Sequence, residues 1–113
     1  KFSCGATPNC VSSQQVHRSS QKIDPLNLEG FDDAHKSLLD AVLATGGEVV
    51  DDGNGSIVAV YTSSFFGFVD DVMIRVDVPG QRAEIISRSR VGYSDLGLNR
   101  KRVEAIRAAL NGS

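Results

Sequence analysis

The chain has 113 residues, 41% of them hydrophobic and 23% charged, ordinary globular proportions that exclude a disordered tail, a collagen-like rod and a coiled coil. A chain of this length buries roughly two-thirds of the surface its unfolded form exposes, enough for one modest core, and no stretch nears the roughly 20 apolar residues that span a bilayer. The net charge of −2 conceals a division. Residues 1–23 carry Lys1, Arg18 and Lys22 and no acid; residues 24–81 carry eleven acids against Lys36 and Arg75; residues 82–113 carry seven bases against Glu84, Asp95 and Glu104. Either the basic C-terminal third folds back on the acidic middle, or it forms a basic face for anions or an acidic partner. The acidic total argues against a nucleic-acid partner.

Residues 1–30 mix Ser, Gln, Asn and two of the three prolines with few apolar positions and read as an irregular N-terminal arm, followed by a single α+β domain over residues 31–113. Within the arm, Cys4 and Cys10 lie close enough to close a small loop around Thr7-Pro8-Asn9. A disulfide is the favoured reading over a metal site with His17 or His35, because a lone cysteine pair lacks the spacing of a structural zinc site. It would place the protein in an oxidising compartment such as the periplasm, the cell exterior or an organelle lumen. No signal or transit peptide is visible in the sequence, which starts at Lys1, and a targeting segment removed before it is the expectation.

From Phe31 the pattern changes. Phe31, Ala34, Leu38 and Val42 recur at helical spacing, Asp32 and Asp33 fall where the helix dipole favours negative charge, and Gly46-Gly47 supplies a stop, so a helix is expected from Phe31 to about Ala44. Strands follow at Glu48 to Asp51, Ile57 to Ser64, Phe68 to Val78 and Ala83 to Arg90. Asp52-Gly53-Asn54-Gly55 suits a tight hairpin and Pro79-Gly80 the centre of a type II turn. Connections this short make the sheet an antiparallel β-meander of three to four strands, since parallel crossovers need a dozen or more residues. A last helix carries Val103, Ile106 and Leu110, with Leu96 and Asn99 extending its stripe backwards and Asn111-Gly112 closing it. The expected architecture is two helices on one face of the sheet.

Two polar features stand out. Strand alternation groups Asp70 with Phe66, Phe68, Val72, Ile74, Val76 and Val78 on an otherwise apolar face. An unpaired buried carboxylate is costly, so one of Arg88, Arg90, Arg100 and Arg102 is expected beside it. Arg100-Lys101-Arg102 opens the last helix, where the dipole disfavours cations. Asp95 or Asn99 as cap, Asp70 and Asp71 as partners, or a bound anion would compensate. Asp71 points to the opposite face from Asp70, so the two are no acid–base pair.

Other signals are weak. His17 and His35 share no spacing with a nucleophile and read as solvated, while Ser87 and Ser89 sit in no nucleophile elbow. Phe65-Phe66-Gly67-Phe68 reads first as core packing and second as an exposed partner-binding or membrane-surface patch. Neither a P-loop nor a dinucleotide glycine fingerprint occurs. No cofactor, metal or catalytic residue is expected.

Three blocks, Pro8-Asn9-Cys10-Val11-Ser12-Ser13, Gly67-Phe68-Val69-Asp70-Asp71-Val72 and Ser89-Arg90-Val91-Gly92-Tyr93-Ser94-Asp95-Leu96-Gly97 continuing through Asn99-Arg100-Lys101-Arg102-Val103-Glu104, resemble the family known as domain of unknown function 1499. The resemblance runs over nearly the whole chain and implies exported bacterial proteins, often lipoproteins, and chloroplast-targeted plant and algal relatives. It transfers motif positions without roles. One departure is visible: where that family reads arginine-serine-small-serine-arginine, this chain has Ile86-Ser87-Arg88-Ser89-Arg90. The charge is thereby moved about 6 to 7 Å along the same strand face.

Asp70, Asp71, Ser89, Arg90, Tyr93, Asp95, Asn99, Arg100 and Arg102 are therefore expected to form a structural polar network or a binding cluster. The leading expectation is a non-catalytic exported or organelle-lumenal module, peripheral to a membrane, that binds or stabilises a protein partner in a membrane-associated complex. In a photosynthetic organism it would be an accessory subunit in the thylakoid lumen. One rival is a small-ligand or enzymatic site of Asp70, Arg90, Tyr93, Asp95 and Arg100 in a cleft between the last helix and the sheet. Another is an anion-binding module for lipid headgroups through Arg100 and Arg102.

Overall fold

Period-two alternation along consecutive segments builds the sheet, and two amphipathic helices cover one side of it. A computed structural model describes residues 2–63, 67–79 and 81–112. Its elements in chain order are β1 (Cys10–Ser12), β2 (Leu26–Asn27), α1 (Ala34–Ala44), β3 (Glu48–Gly53), β4 (Ser56–Thr62), β5 (Val69–Asp77), β6 (Arg82–Ser89) and α2 (Leu98–Asn111). The strands form one antiparallel sheet in the order β1-β6-β5-β4-β3, with β2 also paired to β6.

The class is α+β, as expected, but the sheet has six strands where three to four were expected. The two extra strands come from the arm. They span three and two residues, too short to show a period, and exist because β6 offers them an edge. Val11, Ile23, Leu26 and Leu28 of the arm join the main core beside Ile57, Val72, Ile74 and Ile85 of the sheet and Leu38, Val42, Val103, Ile106 and Leu110 of the helices. Phe2, Cys4 and Cys10 pack with Ile86 in a second, smaller core to which Met73 contributes. Met73 and Ile86 face each other across β5 and β6, so helices cover one face and part of the arm covers the other.

The cysteines are joined, with an S–S distance of 2.08 Å, and a loop this short stabilises by about 2 kcal/mol on the chain-entropy account. That bond replaces the metal alternative, since a disulfide sulfur is no thiolate ligand.

Element ends depart from expectation for local reasons. α1 starts at Ala34, three residues after Phe31, because Asp33 caps it by accepting the Lys36 N–H at 3.1 Å; Asp32 and Phe31 lie outside the helix, Phe31 still packing on the core. β3 runs to Gly53, leaving a two-residue turn at Asn54-Gly55, and its register slips between Val49 and Asp51, a bulge on an edge strand that also carries Asp51 and Asp52. Leu96 does not extend the α2 stripe: it adopts φ 55° and is 90% exposed. Phe65, Phe66 and Gly80, on which the aromatic cluster and the type II turn were read, lie outside the described residues.

The two glycines after α1 serve different ends. Gly46 takes φ 96°, the left-handed stop. Gly47 lies against its neighbours: a Cβ there would stand 2.6 Å from Val42 Cγ1 and 2.7 Å from Tyr61 Cζ. Gly47→Ala is expected to destabilise by about 1–3 kcal/mol through overpacking, read as a lower urea midpoint. Gly53→Ala, whose Cβ would meet nothing nearer than Ser56 Oγ at 3.5 Å, should move the midpoint far less.

Candidate functional site

The polar cluster forms where the start of β5, the end of β6 and the first turns of α2 converge. Alternation turns Asp70 inward, and it is 4% exposed. Its Oδ2 meets Arg102 Nη1 at 2.8 Å. Of the four candidate arginines, Arg102 reaches it, because position 102 of the helix faces the sheet while Arg100, two residues earlier, faces the arm. Arg102 also donates to Asn99 Oδ1 at 3.0 Å and lies over the Tyr61 ring, 4.7 Å from its centre. The ring face is a second attractive surface for a cation held out of water.

Asn99, fully buried, is the hub of this cluster. Its Oδ1 accepts from Ser87 Oγ at 2.6 Å, and its Nδ2 shares two hydrogens among Asp95 Oδ2 at 2.6 Å, Ser89 Oγ at 3.0 Å and the Asn9 carbonyl at 3.2 Å. Asp95 in turn serves the start of α2, accepting the Gly97 N–H at 2.8 Å and the Asn99 N–H at 3.1 Å. Gly97 itself occupies the cap position with no side chain to offer. Asp95 therefore supplies the negative charge that the opening of α2 favours, and two of the three cations there are balanced elsewhere: Arg102 by Asp70, and Arg100 by the carbonyls of Ser20 at 2.5 Å and Lys22 at 3.0 Å.

The remaining residues read from the sequence are placed apart. Asp71, on the opposite face from Asp70, takes Arg90 in a two-point bond at 2.9 and 3.0 Å, and this partner raises the Arg90 pKa above its ordinary value. An exposed pair of this kind adds little stability. Tyr93 stands outside the cluster, exposed, with its hydroxyl 3.5 Å from Arg18 Nη2. Arg88 is exposed and in no ion pair among the described residues, while Ile86 is buried in the second core. The C-terminal third thus neutralises the acidic middle only in part.

Sequence reasoning overlooked several contributors. Asn9 donates to the Gly92 carbonyl at 2.6 Å and accepts the Ser89 N–H at 3.0 Å, tying the disulfide loop to the 89–97 loop. Arg107 donates to the Asp24 and Pro25 carbonyls, both at 2.9 Å. Glu84 is a second buried acid, accepting from Ser13 Oγ at 2.7 Å and facing Arg82 at 3.2 Å. His35, expected to be solvated, pairs with Asp52 at 2.5 Å across α1 and β3. Asn9 alone carried a signal, since it lies in a resembling block; the others depend on long-range contacts.

A groove of about 430 Å³ adjoins the cluster, lined by Phe68, Val69, Val91, Leu96 and Leu98 and reached by Asp70, Ser89 and Asp95. Those three are already engaged, and among the described residues no fully buried side-chain nitrogen or oxygen lacks a partner. A general base needs a free lone pair within reach of a substrate proton. Here each of the three already holds a structural partner.

Removing one member of the buried pair strands the other. Arg102→Met is expected to cost about 3–5 kcal/mol, and Asp70→Leu combined with Arg102→Met to recover much of that loss, both read from urea unfolding. Burial raises the Tyr61 pKa, outweighing the Thr45 hydrogen bond and the Arg102 charge, which lower it. The folded chain then holds the phenolic proton to higher pH than the unfolded chain, so stability falls as pH rises through the tyrosine range. An ultraviolet titration should show Tyr61 ionising above the ordinary tyrosine value, and Tyr61→Phe should flatten that part of the alkaline stability profile.

No curated protein and no solved structure matches the chain. The sequence profile of one family does match, over residues 2–110, and covers the disulfide loop, the buried pair and its hub alike. On that match the chain belongs to the family described as protein of unknown function, DUF1499.

Proposed function

We propose that this protein is a non-catalytic, exported module that binds or stabilises a protein partner belonging to a membrane-associated assembly. The observation that carries this reading is the closed state of the polar cluster. Asp70, Asp95, Asn99 and Arg102 bond to one another or to backbone, and Arg100 is held on the arm, so the side chains with the most chemistry hold elements together. A cluster spent in this way suits a rigid recognition scaffold better than an acid–base site.

The disulfide supports export, because such bonds persist in oxidising compartments. No helix among the described residues is long and apolar enough to cross a membrane, which fits a peripheral position. The periplasm of a bacterium and the thylakoid lumen of a photosynthetic organism both satisfy these conditions, and in the second the module would be an accessory subunit of a photosynthetic membrane complex.

Cross-linking in native membrane fractions, followed by mass measurement of the complexes that contain this chain, tests the proposal. The expected result is a defined larger complex with a recurrent cross-linked neighbour. Recovery of the chain only as a free monomer would overturn it.

A further inference from the structure

One end of the molecule differs in chemistry from the other. β4 and β6 both run between these ends, antiparallel to β5. At the end where β5 starts and β6 finishes, Phe68, Val91, Tyr93, Leu96 and Leu98 are all exposed. Four of them line the 430 Å³ groove, and Tyr93 stands in the same loop. Four large apolar side chains lining one groove, with exposed Tyr93 in the adjoining loop, exceed the scattered single exposures that ordinary surfaces carry.

Leu96 is the outermost of them, and its exposure is built in. Its backbone adopts φ 55°, a conformation that side chains other than those of Gly and Asn rarely take. Its N–H is bonded to Ser94 Oγ at 3.3 Å, and the next N–H to Asp95 Oδ1 at 2.8 Å. A strained residue held outward by its neighbours points to function at that position.

Charge defines what would meet this end. Arg88 and Arg90 line a second groove that shares Ser89, Val91 and Gly92 with the apolar one; Lys101 lines a third that shares Leu98; Arg18 reaches Tyr93. The acids in these grooves are all engaged, Asp71 by Arg90, Asp70 by Arg102 and Asp95 by the start of α2. At the other end, around the Asn54-Gly55 turn, the groove carries Asp32 and Asp33, with Asp51 and Asp52 following on β3. An acidic chain thus presents an apolar tip flanked by bases, with the acids of that tip bonded to neighbours, and carries further carboxylates at its far end.

We propose that this end docks on an anionic lipid surface, with Leu96, Phe68 and Tyr93 entering the headgroup boundary and Arg18, Arg88 and Lys101 facing lipid phosphates. Apolar insertion and basic attraction are the two contributions that hold peripheral proteins on bilayers. The opposite charge of the far end orients the molecule in the negative surface field. This extends the peripheral placement proposed above and needs no protein partner, so it is tested with lipid alone.

The experiment is co-sedimentation with vesicles of phosphatidylglycerol mixed with phosphatidylcholine, against vesicles of phosphatidylcholine alone. The wild-type chain should sediment with the anionic vesicles and lose affinity as salt is added. Leu96→Asn should weaken binding about tenfold or more without lowering the urea midpoint, because Asn tolerates the left-handed conformation; a purely structural Leu96 would show the reverse. Arg88→Gln and Lys101→Gln should each weaken it about fivefold. Val78→Asn, at an exposed apolar position on the acidic end, should bind as wild type. No sedimentation with anionic vesicles, binding indifferent to salt, or unchanged binding by Leu96→Asn would overturn the proposal, and none of these outcomes bears on whether a protein neighbour is found by cross-linking.

Discussion

The ion pair between Asp70 and Arg102 is the constraint on which the rest of the structure depends. Burying two charges is expensive, and well-packed apolar residues at the same positions often give an equal or higher stability. What the pair supplies is uniqueness of arrangement. Arg102 meets Asp70 only if α2 lies at one height and one rotation on the sheet, and the guanidinium must also satisfy Asn99 and rest on Tyr61. A helix slid by one turn, about 5.4 Å, would leave both charges buried and unpartnered. The apolar stripe of Val103, Ile106 and Leu110 tolerates such sliding far better, because hydrophobic contact is not directional.

The arm, too, has little regular structure to hold it. Its position is set by side chains of the body reaching its backbone. Asn99 touches the Asn9 carbonyl, Arg100 the carbonyls of Ser20 and Lys22, and Arg107 those of Asp24 and Pro25. The Asn9 carbonyl also accepts the Ser89 N–H; the others lie outside the strands, where no ladder serves them. Three residues of α2 thus compensate for the shortness of β1 and β2. Of the basic residues of the C-terminal third, Arg82, Arg90 and Arg102 meet acids of the middle segment while Arg100 and Arg107 are taken by backbone carbonyls, an assignment that charge counting along the chain does not reach.

This separates what was legible in the sequence from what was not. The helices, the central hairpins and the inward turn of Asp70 follow from periods of 3.6 and 2, which are local and need only a dozen residues to show. The need for an arginine beside Asp70 was also legible, from the cost of a bare buried carboxylate. Which arginine was not, since helical phase relative to the sheet is fixed by packing. Asn9, Glu84 and Arg107 escaped for a related reason: an Asn beside a cysteine, an acid within a strand and an arginine on a helix are each ordinary, and become informative only when residues some 70 to 90 positions away are seen against them. Leu96 was misread because its spacing fits the α2 stripe, whereas the Ser94 and Asp95 side chains bond the local N–H groups and start the helix two residues later.

The closed cluster and the exposed tip are two consequences of one set of bonds. Asp95 spends one oxygen on the Gly97 N–H, which fixes the turn that throws Leu96 outward, and the other on Asn99, which anchors that turn to β6 and the arm. Asn9 closes the other side of the loop through the Gly92 carbonyl, and the disulfide beside it restricts how far Asn9 can move. A loop holding Val91, Tyr93 and Leu96 exposed in open water would ordinarily collapse onto itself or fray. Here it is braced from the helix, the strand and the arm, so the apolar surface keeps its shape before any partner arrives, and the ordering cost that a flexible loop would meet on binding falls instead within folding.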